Sequence, residues 1–118
     1  MSDPISHDPQ SLFDPLDAPN SVTTLYTSPS GAGKRGTRVQ GIWVCNHTGG
    51  AVTYTLHHVK TGGSATDSNK LYDVLSIAAN ATQILAQGII LDPGDFFSHL
   101  AGAVTSISVH GYGWEMTD

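Results

Sequence analysis

From residue 21 onward, apolar and polar positions alternate in short runs broken by turn residues, and no stretch carries the three-to-four-residue spacing of a long amphipathic helix. The runs 22–27 (VTTLYT), 37–46 (TRVQGIWVCN), 51–60 (AVTYTLHHVK), 70–77 (KLYDVLSI), 82–86 (TQILA), 88–91 (GIIL), 95–100 (DFFSHL) and 103–110 (AVTSISVH), the last extending toward Met116, predict β-strands. Eight short strands predict an all-β chain with one antiparallel β-sandwich or jelly-roll domain over residues 21–118. Asn46-His47-Thr48-Gly49-Gly50 predicts a compact hairpin loop, and Asp92-Pro93-Gly94-Asp95 a type II turn with Gly94 supplying the positive φ. The segment 61–69 (TGGSATDSN) predicts a long exposed loop, the most mobile piece of the chain, and only 78–82 (AANAT) suits a helical turn.

The alternation also assigns faces. Val52, Tyr54, Leu56 and His58 share one side of their strand and Thr53, Thr55 and His57 the other, the pattern of a half-buried antiparallel strand. In 37–46 both sides are apolar, Trp43 and Cys45 on one and Ile42 and Val44 on the opposite, which predicts a central or covered strand. The last run changes parity, from Ile107 and Val109 to Tyr112, Trp114 and Met116, predicting a bulge around Gly111 or a second apolar surface.

Residues 1–20 read differently. They hold four of the six prolines and four aspartates with no Lys or Arg, and proline disfavours both helix and ladder pairing. The segment predicts an extended arm whose apolar Ile5, Leu12, Phe13 and Leu16 are anchors, laid either on its own domain or on a neighbouring copy.

Composition narrows the function classes. Only 13% of the 118 residues are charged, so Ser, Thr, Gly and Asn cover much of the polar surface. The net charge of −5 argues against nucleic-acid or anionic-membrane binding by the whole molecule. A lone cysteine, Cys45, excludes an intrachain disulfide framework. The opening MSDPISHDP has neither a basic nor an apolar leader region, and no run is long enough to span a bilayer, so a soluble protein made in a cytoplasm is expected. Asn46-His47-Thr48 and Asn80-Ala81-Thr82 spell glycosylation signals that read better as turn chemistry.

The candidate chemistry is thin. TSPSGAGKRGTR (27–38) approaches a phosphate-binding loop, but Ser28 stands at the first glycine position and Arg35 where the magnesium-binding hydroxyl belongs. A β-rich run follows it where a helix N-terminus is required. The six histidines lack ligand spacing: His57 and His58 point to opposite faces, and His7, His47, His99 and His110 are scattered. Cys45 and His47 could share a strand face as thiolate and base, yet a cysteine in an apolar run reads as a buried small hydrophobe. Asp92 and Asp95 read as turn caps. No catalytic, metal or cofactor site is expected, and a small-molecule ligand is not. Lys34, Arg35 and Arg38 are three of the five basic residues, and they suit acidic partner groups such as the Asp-rich arm of a neighbouring copy.

The order LYTSP (25–29), TRVQGIWVCNHTG (37–49), AVTYTL (51–56), IAANAT (77–82), GIIL (88–91), PGD (93–95) and VTSISV (104–109) resembles small β-sandwich virion proteins of tailed bacteriophages over about residues 22–110. The likeness lies in strand and turn rhythm. It implies a structural protein and no enzyme: a capsid decoration (cement) protein, expected at the capsid surface of the virion, with the major capsid protein and copies of itself in a homotrimer as partners. The arm anchors, Lys34, Arg35, Arg38, Tyr112 and Trp114 are the expected interface residues. The alternative is a tail- or fibre-associated module that binds host glycan or protein through the 61–69 loop, Tyr112 and Trp114.

Overall fold

Each of the eight expected runs contains a strand, although 103–106 is a turn and the last strand starts only at Ile107, and a ninth strand lies in the segment read as an arm. The computed structural model describes residues 9–118. Its strands are β1 (Pro9–Asp17), β2 (Thr23–Thr27), β3 (Lys34–Asn46), β4 (Val52–Val59), β5 (Lys70–Ile77), β6 (Thr82–Leu85), β7 (Ile89–Leu91), β8 (Phe96–Ala101) and β9 (Ile107–Thr117). One sheet has the order β1-β9-β3-β6, with β7 also on β3, and the other β2-β8-β4-β5. All pairs are antiparallel. The chain is therefore all-β, and its two sheets pack as a sandwich.

The pairing is nested: β1 with β9, β2 with β8, β3 with β6 and β7, β4 with β5. This is a jelly roll, an antiparallel ribbon folded at its middle and rolled up. Rolling explains one departure from the sequence reading. Asn46–Gly50 is not a hairpin, because β3 and β4 lie in different sheets and the segment crosses between them. Asn46 drives that crossing: it is fully buried, donates to the carbonyls of Gly50 (2.8 Å) and Ile77 (3.0 Å), and accepts from the Thr48 amide and hydroxyl. Its amide is thus consumed by turn chemistry. The expected helical turn at 78–82 is instead a β-turn, closed by Ala81 N–H to Ala78 O.

Between the sheets Val39, Ile42 and Val44 of β3 meet Tyr54 and Leu56 of β4, Ile77, Leu91, Phe97, Ile107 and Val109, all essentially without exposed surface. At one end the core turns polar. Tyr26 Oη lies 3.0 Å from Thr37 Oγ1 and donates to Glu115, and Ser28 Oγ lies 2.8 Å from Thr37 Oγ1. Burial, then the Glu115 carboxylate, push the Tyr26 phenol well above its ordinary value and keep it a donor.

The 9–17 stretch belongs to this core. It pairs with β9 from Pro9↔Trp114 to Asp17↔Ser108, with breaks after Ser11 and after Phe13. Proline is tolerated because β1 is an edge strand, where only one side of the backbone must pair. Leu12 is buried, and Phe13 and Leu16 pack against the core. Phe13 fills the space above Gly111, where an added Cβ would lie 2.3 Å from its ring. Described residues 9–17 of the arm therefore dock on their own domain, and Ala18 and Pro19 bolt the exit to both sheets through Ile107 O and Ala101 N. Ile5 lies outside the described residues.

This packing gives a test. Phe13→Ala should cost about 2 kcal/mol and Gly111→Ala about 1–3 kcal/mol, by a cavity and a clash respectively. Because both act on one contact, the double variant should fall short of the sum by at least about 0.5 kcal/mol in urea denaturation, and additive losses would separate the two residues.

Candidate functional site

The parity change in β9 arises in its neighbours. Ile107, Val109, Gly111 and Gly113 keep one parity and are buried, so Tyr112 and Trp114 fall on the outer face. The extra residue is in β3, whose register with β9 slips between Val39 and Gly41. The bulge at Gln40 lets Thr37 and Val39 point inward before it and Ile42 and Val44 after it.

Two further irregularities stand in the same row. β1 slips against β9 just after Ser11, which pairs with Tyr112, the residue that also pairs with Gly41. On the other side of β3, pairing with β7 ends at Val39↔Ile89 and resumes with β6 at Ile42↔Leu85. The intervening Ala86 and Gly88 have φ of 56° and 76°, and Gly88 N–H reaches Val39 O. Aligned breaks crease the five-stranded sheet.

Two rings stand in the crease. Trp43 and Tyr112 meet edge to face, with centroids 5.2 Å apart and planes at 86°. The indole covers Gly41, whose Cβ would come within 2.8 Å of it. A hollow of about 400 Å³ lies on one side of the pair, edged by Gln10, Ser11 and Gln40, and one of about 430 Å³ on the other, edged by Cys45, Thr82 and His110. Tyr112 remains 42% exposed.

The opposite face carries an aliphatic hollow of about 340 Å³ between Val22, Thr55, Val74 and Leu100, with Asp67, Lys70 and Asp73 at its rim. Lys70 Nζ pairs with Asp67 (3.0 Å) and Asp73 (2.9 Å). Val74 sits in a bulge of β5 with φ of 51°, its N–H held by Thr55 Oγ1. A β-branched residue rarely adopts that conformation.

The expected interface residues are dispersed. Leu12 is in the core, and Phe13 and Leu16 are packed against it. Arg35 pairs at 3.0 Å with Asp118 of its own chain, Arg38 lies over the Trp114 ring at 5.8 Å, and Lys34 opens β3 with its side chain exposed. Gly33-Lys34 thus leads into a strand, as the reading of the glycine-rich loop required. The 61–69 loop and the Tyr112–Trp114 pair do not come together, since the loop joins β4 to β5 in the other sheet. Within the loop Asn69 Oδ1 accepts from Thr66 N–H and its Nδ2 donates to Ser64 O, while His57 Nδ1 lies 2.9 Å from Asn69 Oδ1.

The described histidines hold separate posts. His47 lies 3.1 Å from Asp17, His57 is under the loop, His110 lines the crease, and His58 packs on Phe97 with Nε2 3.8 Å from Asp95. Among the described residues, no three His, Cys, Asp or Glu side chains gather as a metal would require, and no helix is long and apolar enough to cross a membrane. His99 is buried, with Nδ1 2.8 Å from the Tyr54 hydroxyl.

No family model, curated protein or solved structure matches the chain. The crease and the aliphatic hollow therefore stand on their own geometry.

Burial pulls His99 from the ordinary 6.5 down to about 4. Below pH 6.5 the unfolded chain takes up a proton that the native imidazole refuses, so this contribution is complete above 6.5 and lost as pH falls through about 4. The loss should be on the order of 3 kcal/mol in denaturant midpoints, and His99→Gln should flatten the profile over that window. Asp95 adds a second loss at lower pH. Burial raises its carboxyl, but hydrogen bonds from Lys60, Thr61 N–H and Asp92 N–H outweigh that and hold it below 3.8.

Proposed function

We propose that the chain is a structural virion protein of the capsid-decoration kind, which acts by docking and performs no chemistry of its own. The observation that carries this reading is Val74. It keeps a strained backbone and an apolar side chain that is 59% exposed, beside Val22 at 54%. Strain retained under a solvent-facing aliphatic group favours a contact surface, because the surrounding fold gains nothing from the side chain itself. An apolar centre of Val22, Val74 and Leu100 with a charged rim of Lys70, Asp67 and Asp73 has the anatomy of a protein interface.

In this reading the four-stranded sheet meets the major capsid protein, copies associate as a trimer on the shell, and the creased sheet faces away. The resemblance in strand and turn rhythm drawn from the sequence points the same way, whereas the jelly roll alone does not, since one fold hosts many functions. The arm is not the docking element over residues 9–17, because its anchors are spent inside the domain. The tail- or fibre-associated alternative, as drawn from the 61–69 loop with Tyr112 and Trp114, has no joint surface.

The test uses Val74→Asn, which accepts the left-handed conformation. Stability should rise by about 1 kcal/mol, while co-sedimentation with purified shells should fall at least about tenfold in affinity. A stabilised variant that binds shells fully would remove this face from the account, and a handful of copies per particle in place of hundreds would point to the tail.

A further inference from the structure

We propose that the crease of the five-stranded sheet binds a neutral, hydroxyl-rich chain, a glycan, with Trp43 and Tyr112 as the stacking wall and the Gln10 and Gln40 amides as its hydrogen-bonding rim. This does not rest on the virion reading, since the crease and the aliphatic hollow lie on opposite sheets.

Shape comes first. Three register breaks in one row lie beside the two hollows of the outer face, and bulges commonly re-aim side chains beside binding sites. The hollows, at about 400 and 430 Å³, fall within the usual range for small-ligand sites. They share one aromatic pair, so a ligand crossing it meets a hollow on each side. A chain of linked rings suits that arrangement better than one compact molecule.

Chemistry selects the class. Among the described residues, neither hollow is edged by Asp, Glu, Lys or Arg, and His110 is the one ionisable base there. Arg38, one row away, is engaged on Trp114. A nucleic acid would need cations tracking its phosphates, and an acidic peptide would need the same. A wholly apolar occupant would strip water from Gln10 and Gln40 without replacing it. None of the hydrogen bonds among the described residues uses either amide side chain, and Gln40 is exposed on its bulge. Each amide offers both a donor and an acceptor, which matches hydroxyl groups. The perpendicular rings supply an apolar face for the C–H side of a sugar and an edge that fixes its tilt.

The experiment is a titration of the full chain with neutral oligosaccharides built on glucose, galactose, mannose and N-acetylglucosamine, followed by amide chemical shifts and tryptophan fluorescence. Shift changes should cluster at Gln40, Gly41, Tyr112 and Gly113 for at least one probe. Affinity should rise from the monosaccharide to the trisaccharide. Tyr112→Ala and Gln40→Ala, both at exposed positions, should each weaken binding at least about tenfold with folding unchanged. Val74→Asn should leave it unaltered, which separates a failure here from a failure of the docking face. The proposal falls if no probe shifts these residues at millimolar concentration, if the two variants bind as well as the parent, or if sulfated and other anionic oligosaccharides are preferred.

Discussion

Closure of the roll by β1 against β9 is the contact on which the rest depends. β9 lies between the first strand and the central β3, and its inner side is glycine at 111 and 113. Those glycines leave room that β1 fills with Phe13, while an added Cβ at Gly113 would lie 2.2 Å from the Arg38 carbonyl, so the β3–β9 pair itself needs the small residue. Two ties outside the ladder fix the same corner: Ala18 N–H to Ile107 O, and His47 to Asp17. Without β1 the sheet would open an edge along β9 and uncover Ile42 and Val109 at once.

Most strands were legible as runs apolar on a period of two, or on both sides in the case of β3, bounded by turn residues. The partner of each strand was not, since the roll pairs residues far apart in sequence, such as Thr37 with Glu115. That is why Asn46–Gly50 reads as a hairpin loop and is a crossing. β1 was hidden by Pro9 and Pro15, which forbid a central strand but suit an edge whose second side needs no partner. Tyr112 and Trp114 were legible as an outward surface through their parity. Trp43 was legible as apolar on the face opposite Ile42, but its place in a concave site was not, because the crease needs the bulge at Gln40 and the break at Ala86–Gly88 to align across three strands.

Low charge shapes the interior as well as the surface. With few ionic groups available, the ends of the sandwich are fastened by single buried polar residues. Asp95 alone receives Lys60 Nζ, Thr61 N–H and Asp92 N–H, tying the start of the β4–β5 connection to the turn before β8. Asn46 does the same at the opposite crossing with four bonds. Such residues leave no unpaired buried charge, and removing any one strands several backbone groups at once. The surface ion pairs, Arg35–Asp118 among them, are half exposed and contribute little.

Irregularity is unevenly distributed in this fold, and its placement carries an argument. A jelly roll tolerates bulges at its edges, where β1 and β5 lie, because they bend the strand without breaking a second ladder. The Gln40 bulge is different: β3 is paired on both sides, so its extra residue disturbs β9 and the β6–β7 line together. A central defect of this kind costs more than an edge defect, and it resets the parity of β3 so that Thr37 and Val39 before it and Ile42 and Val44 after it all face inward. On the outer face it leaves the pair of hollows around Trp43 and Tyr112, and the β5 bulge leaves an exposed valine. The Gln40 and Val74 bulges thus both lie where apolar groups are presented outward, and that coincidence is the ground for reading both as contact surfaces.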